Sequence, residues 1–171
     1  NALPHRRAPP NPAVEWTRSA LALGPCRRTN QKWKSAPMNG ISHLTFLVKD
    51  LDRMATFMCE GLGAVEVYDS KAKNFSLSRE KFFVLGGVWI AAMEGVPPVD
   101  RSYQHVAFHV REVDIQFYRE SLERIGAEVL PSRPRVPGEG DSLYVYDFDN
   151  HLFELHAGTL EERLARYRLD P

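Results

Sequence analysis

Cysteine is nearly missing from this chain: its 171 residues hold two, Cys26 and Cys59. Two thiols cannot build a disulfide framework, so a small secreted scaffold is excluded and a reducing, cytoplasmic setting is the simpler one. Long apolar runs are missing too. The longest, Val84 to Met93, is about half of what a bilayer-spanning helix needs, so no membrane partner is expected. Net charge is absent, with 22 Lys+Arg against 22 Asp+Glu, but the balance is uneven along the chain. Residues 1–37 carry seven Lys/Arg and one acid, Glu15, a net +6, which leaves residues 38–171 at −6. A mildly acidic domain argues against nucleic acid as the main partner. The first 37 residues also lack any sustained helix or strand period, and they hold Pro4, Pro9, Pro10, Pro12, Pro25 and, at the boundary, Pro37. They read as a disordered leader. The Arg-rich, acid-poor composition also suits a transit peptide, while Ala20 to Leu23 is too short an apolar core for a secretory signal. Met38, just before the first strand, offers a natural start as one explanation of the leader and a short functional tail as the other.

What is present is a 43% hydrophobic chain with core enough for one domain over residues 38–171. Its punctuation is strand, helix, then strands, and the pattern occurs twice. Ile41 to Val48 alternates as a strand. Asp50 is placed to cap a helix running to Leu62, with Leu51, Met54, Ala55 and Met58 as its apolar stripe. Ala64–Tyr68 and Val88–Met93 read as strands, and Asn74–Leu85 as two short strand pieces around Ser78 to Lys81. The order then restarts with a strand at Tyr103–Val110. A helix at Glu112–Ile125 follows, with Val113, Phe117, Leu122 and Ile125 inward, and then a strand at Glu128–Leu130. A Pro/Gly/Arg-rich loop spans Ser132–Gly140, the hairpin YVYDFDNHLFELH covers Tyr144 to His156, and a last helix is capped by Thr159 or Gly158. ISHLTFLVKDLD matches YQHVAFHVREVD at a spacing of 62, pairing His43 with His105 and Asp52 with Asp114. The fold expected is therefore α+β: two tandem β-α-β-β-β modules, about residues 40–97 and 102–160, then a C-terminal helix. One module alone leaves an open sheet edge, so the two should pair.

Two imidazoles at matched repeat positions and a strand carboxylate make a metal-binding kit. Burying Glu154 mid-strand is costly unless something pairs with it. His43, His105 and Glu154 would hold a divalent ion with places left open for water or substrate. These ligand types do not choose among Mn, Fe and Zn. His109 shares a strand face with His105, and His156 with Glu154, so both are rival ligands; the turn position places His151 in solvent. At a spacing of 62 the first-module counterpart of Glu154 is Ala92, which cannot bind metal.

GISHLTFLVKDL, FSLSREKFF, RPRV with GEG, and YVYDFDNHLFELHAGTLEERLARY resemble the fosfomycin-resistance proteins of the vicinal-oxygen-chelate superfamily. The likeness is to the drug-hydrolysing FosX type, and it covers about residues 39–168. That resemblance implies Mn(II)-dependent hydrolysis of the epoxide of fosfomycin by a homodimer. It places metal ligands at His43, His105 and Glu154, a general base at Glu80, and Thr45 beside the epoxide oxygen. It places phosphonate contacts at Tyr144, Arg163 and Ser142. The thiol-transferase relatives carry a potassium-binding loop where this chain has Pro134 to Gly138, so Arg135, with Arg133 the alternative, is expected to supply the missing cation. The competing readings are thiol addition to the same epoxide and a metal-free drug-binding protein. Ring-cleaving iron dioxygenases use a similar triad on longer chains.

Overall fold

The computed structural model describes residues 38–132 and 139–169. The leader and Arg135 lie outside the described residues.

In the first module β1 (His43–Val48) leads into α1 (Leu51–Thr56), whose exposed N-terminal amides are capped by Asp50: its Oδ1 accepts from the Asp52 and Arg53 N–H groups at 2.9 and 3.0 Å. A π-helical segment, Phe57–Gly61, extends α1, and the helix closes at Gly63, φ +75°. β2 (Val65–Asp69), β3 (Glu80–Leu85) and β4 (Val88–Glu94) complete the sheet. Asn74 to Ser78 form no strand; β3 is a single strand where the alternation suggested two pieces. The second module repeats the order: β5 (His105–His109), a 3₁₀ turn (Glu112–Asp114), α2 (Ile115–Arg124), β6 (Glu128–Val129), β7 (Ser142–Tyr146) and β8 (Leu152–His156). α3 (Leu160–Tyr167) follows, its start held by a reciprocal Thr159–Glu162 capping box.

The sheets have the orders β1-β4-β3-β2 and β5-β8-β7-β6, each with one parallel pair, β1–β4 and β5–β8. Period-2 alternation gives each sheet a core face and an open face. Phe46, Val48, Phe83 and Ile90 from the first sheet share one core with Leu143, Val145, Phe153 and Leu155 from the second, and Leu51, Met54, Phe57, Met58 and Leu122 from the helical segments fill it. Gly61 makes this contact possible, because a Cβ there would sit 2.9 Å from the Leu122 and Ile125 side chains. A second link between modules is polar: Asp149 in the β7–β8 turn accepts from the Lys49 N–H at 3.1 Å.

Two helical assignments change. Val113 and Phe117 are exposed, at 79% and 65%, whereas Ile115, Tyr118, Leu122 and Ile125 face the core. The 3₁₀ turn at Glu112–Asp114 advances about 120° per residue against the α-helix's 100°, so counting an α-period from Glu112 rotates the apolar face away from its true position. No helix among the described residues is long and apolar enough to cross a membrane.

Candidate metal and substrate site

The open face of the second sheet carries a connected set of polar side chains. His105 lies on edge strand β5 and Glu154 on neighbouring β8, where Ala107 pairs with Glu154 in register. The His105 Nδ1 lies 2.7 Å from the Tyr103 carbonyl oxygen. A carbonyl only accepts, so Nδ1 carries the proton and donates, which aims Nε2 outward. Nε2 lies 2.9 Å from Glu154 Oε2. The other Glu154 oxygen accepts from Ser142 Oγ on β7 at 2.6 Å, and Ser142 Oγ is also 2.7 Å from His156 Nδ1. Glu154 is only 5% exposed. A buried carboxylate facing a ring nitrogen whose opposite nitrogen is already satisfied is the donor arrangement that suits a divalent first-row ion.

Aromatic groups enclose this pair. The Tyr144 hydroxyl lies 3.1 Å from that of Tyr103, and the Tyr103 and Tyr144 rings lie 5.0 and 5.6 Å from the His105 ring. Burial, with hydrogen bonds to Tyr103 and Glu154, pushes the Tyr144 phenol well above its ordinary value, so it stays a protonated donor at neutral pH. Tyr103 was absent from the sequence-derived site. The available signal was its position two residues before His105, which puts both on one strand face.

His43 lies elsewhere. It is exposed on β1 in the first sheet, with its ring 4.4 Å from that of Trp89. Among the described residues, no group of three His, Cys, Asp or Glu side chains is close enough to hold a metal within one chain. Thr45 shares the open face with His43 and pairs with Ala91. Ala91, not Ala92, is therefore the counterpart of Glu154, because Ala107–Glu154 is the matching pair in the second sheet. The loop between Tyr146 and Leu152 is one residue longer than that between Val84 and Trp89, which shifts the repeat spacing. Ala92 points into the core instead.

Glu80 opens β3 at the position matching Ser142, opposite Met93 as Ser142 is opposite His156. It is 7% exposed. Among the described residues, no hydrogen bond or ion pair reaches its carboxylate. Arg163, half-buried on α3, likewise has no carboxylate partner among the described residues; nearby Glu162 is taken by Thr159 through contacts of 2.8 and 2.9 Å. His151 is not solvated as its turn position suggested. Its Nδ1 lies 2.7 Å from Asp147 Oδ2, and its side chain is 11% exposed. His109 pairs with His156 in register, farther along the same face from His105. A cavity of about 510 Å³ opens between β1 and β5, lined by Thr45, Leu47, Gln104, His105, Asn150 and His151.

A family model described as the Glyoxalase/Bleomycin resistance protein/Dioxygenase superfamily matches residues 40–155. The fosfomycin resistance protein FosX of Listeria monocytogenes is 52% identical over 130 residues, spanning 76% of this chain and 98% of that protein. The metallothiol transferase FosB of Shouchella clausii is 38% identical over 136 residues, spanning 76% of this chain and 88% of that protein. A crystal structure of a FosX variant from Listeria monocytogenes, complexed with Mn(II) and 1S,2S-dihydroxypropylphosphonic acid, superposes with a TM-score of 0.71 at 51% identity, covering 76% of this chain and all of that one. This chain belongs to the glyoxalase/bleomycin resistance protein/dioxygenase superfamily and, within it, to the FosX fosfomycin resistance proteins.

Proposed function

We propose that this protein inactivates fosfomycin by Mn(II)-dependent addition of water across its epoxide. The buried carboxylate of Glu80, unpartnered among the described residues, carries the reading, because hydration needs a base and thiol addition needs it less. The solved FosX complex supports it: the dihydroxypropylphosphonic acid bound there is the product expected when water opens a propylphosphonate epoxide.

His105, Glu154 and His43 would hold the ion. When bound, it supplies positive charge that stabilises the charge developing on the ring oxygen. Tyr103 keeps His105 in the tautomer whose Nε2 is free to coordinate, and Ser142 holds Glu154 in place. Arg163 and the protonated Tyr144 orient the phosphonate, with Arg135 as a further contact, which sets the epoxide carbon for in-line attack; Ser142, expected at the phosphonate, instead spends its hydroxyl proton on Glu154. Glu80 accepts a proton from water as the new C–O bond forms. The ring C–O bond breaks, its oxygen, beside the Thr45 hydroxyl, takes up a proton, and a vicinal diol results.

The site is shared between two chains in this reading. His43 is separated from Glu154 within one chain, and it stands on a sheet face where Leu47, Val84 and Trp89 are 44%, 39% and 39% exposed. A second copy covering that face would bury these side chains and bring the partner's open face to His43. The free Cys59 thiol suits a cytoplasmic setting. Incubating protein, Mn(II) and fosfomycin with and without glutathione should give the diol in both cases. A thiol adduct as the main product would assign the transferase activity, and unchanged drug would assign a binding protein.

A further inference from the structure

Among the described residues the Glu80 carboxylate has no side-chain partner, so its position depends there on the main chain. That main chain is gripped by one residue. Ser70, 4% exposed at the end of β2, donates its N–H to the Glu80 carbonyl at 3.0 Å. The Glu80 N–H does not return to the Ser70 carbonyl, as a regular antiparallel rung would. It donates to Ser70 Oγ at 2.9 Å. The Ser70 carbonyl is used elsewhere, accepting from the Lys73 N–H at 2.9 Å where the chain turns away from the sheet. The serine hydroxyl therefore replaces a carbonyl diverted into the turn, and the last rung stays closed where the ladder would otherwise fray.

The next residue fixes the same strand from its other side. Alternation sends Lys81 away from Glu80, and its ammonium lies 3.0, 3.3 and 3.5 Å from Asp52, Glu66 and Asp69. Burial pulls this ammonium down, but hydrogen bonds with Asp52 and Glu66 outweigh it and leave the group above its ordinary value. This anchor ties β3 to α1 and β2 but contacts nothing at Glu80 itself. Among the described residues only Ser70 bonds both main-chain groups of Glu80.

We propose that Ser70 is a positioning residue for Glu80: its hydroxyl closes the final β2–β3 rung and thereby aims the carboxylate at the substrate water. The inference rests on the assignment of Glu80 as the base. Loss of the hydroxyl orphans a buried N–H and frees the start of β3, and small displacements of a catalytic group carry large rate penalties.

A double-mutant cycle on the Mn(II)-loaded protein tests this, with diol formation followed at saturating and limiting fosfomycin. Ser70→Ala should lower kcat roughly tenfold or more with KM changed less than about twofold and Mn(II) content unchanged. Ser70→Thr, which keeps the hydroxyl, should stay within about threefold of the starting protein. In the Glu80→Gln background, adding Ser70→Ala should change the residual rate less than about twofold, because the group being aimed is no longer a base. An unchanged kcat in Ser70→Ala, an equal loss in Ser70→Thr, or the same loss factor in the Glu80→Gln background would overturn the proposal. Failure of the base assignment is read separately, from near-normal hydration by Glu80→Gln alone.

Discussion

Glu80→Gln should cost activity without costing stability. Glu80 is 7% exposed, and no partner among the described residues compensates its charge. Burying an unpaired carboxylate is expensive, and a glutamine of nearly the same shape carries no charge to desolvate. The substitution should therefore leave the melting temperature unchanged or raise it. A gain of up to about 1 kcal/mol would correspond to roughly 2–4 °C for a domain of this size. Hydration should fall by at least ~10²-fold, or about 2.7 kcal/mol of lost transition-state stabilisation, the usual scale of a general base. Mn(II) binding should persist, since Glu80 is outside the proposed ligand set. The assay is diol formation followed by phosphorus NMR, paired with a thermal melt and metal analysis on the same preparation. Near-normal hydration would refute the base assignment. A drop of several degrees with lost metal would show instead that the carboxylate is a structural group.

Three further outcomes follow from the same geometry. Glu154→Ala removes the carboxylate facing His105 at 2.9 Å, so metal content should fall well below one ion per chain and turnover should cease; full occupancy by elemental analysis would reject the ligand assignment. Mixing inactive His43→Ala chains with inactive Glu154→Ala chains should restore part of the activity, and no rescue after verified subunit exchange would count against a shared site. Deleting residues 1–37 should leave cooperative melting and hydration essentially intact, because the first strand begins only at His43; a large loss of either would show that the leader belongs to the working protein.

Local chemistry was enough to read the two modules. ISHLTFLV and YQHVAFHV alternate alike, so β1 and β5 were legible as the same strand in two copies, with His43 and His105 on matching faces. The Asp50 cap was legible for the same reason, since a cap is settled within a few residues of chain, and the last helix's cap was narrowed to Thr159 or Gly158, of which the structure uses Thr159. Glu154 stood out as a carboxylate on an otherwise apolar strand. The phase of α2 was not legible, because a short 3₁₀ turn rotates everything after it and leaves no mark in the hydrophobic spacing. Nor was Ala91 legible as the first-module counterpart of Glu154, since one added residue in a hairpin reverses the face. Only the tertiary structure brought the Ser70 hydroxyl to the Glu80 amide, the Tyr103 hydroxyl to that of Tyr144, and the Asp149 carboxylate to the Lys49 amide. It also set His43 on a different sheet from His105 and Glu154. Alternation along a strand says which side chains share a face. Which faces meet depends on how the sheets pack around their common core, and that is decided by contacts between residues far apart in the chain.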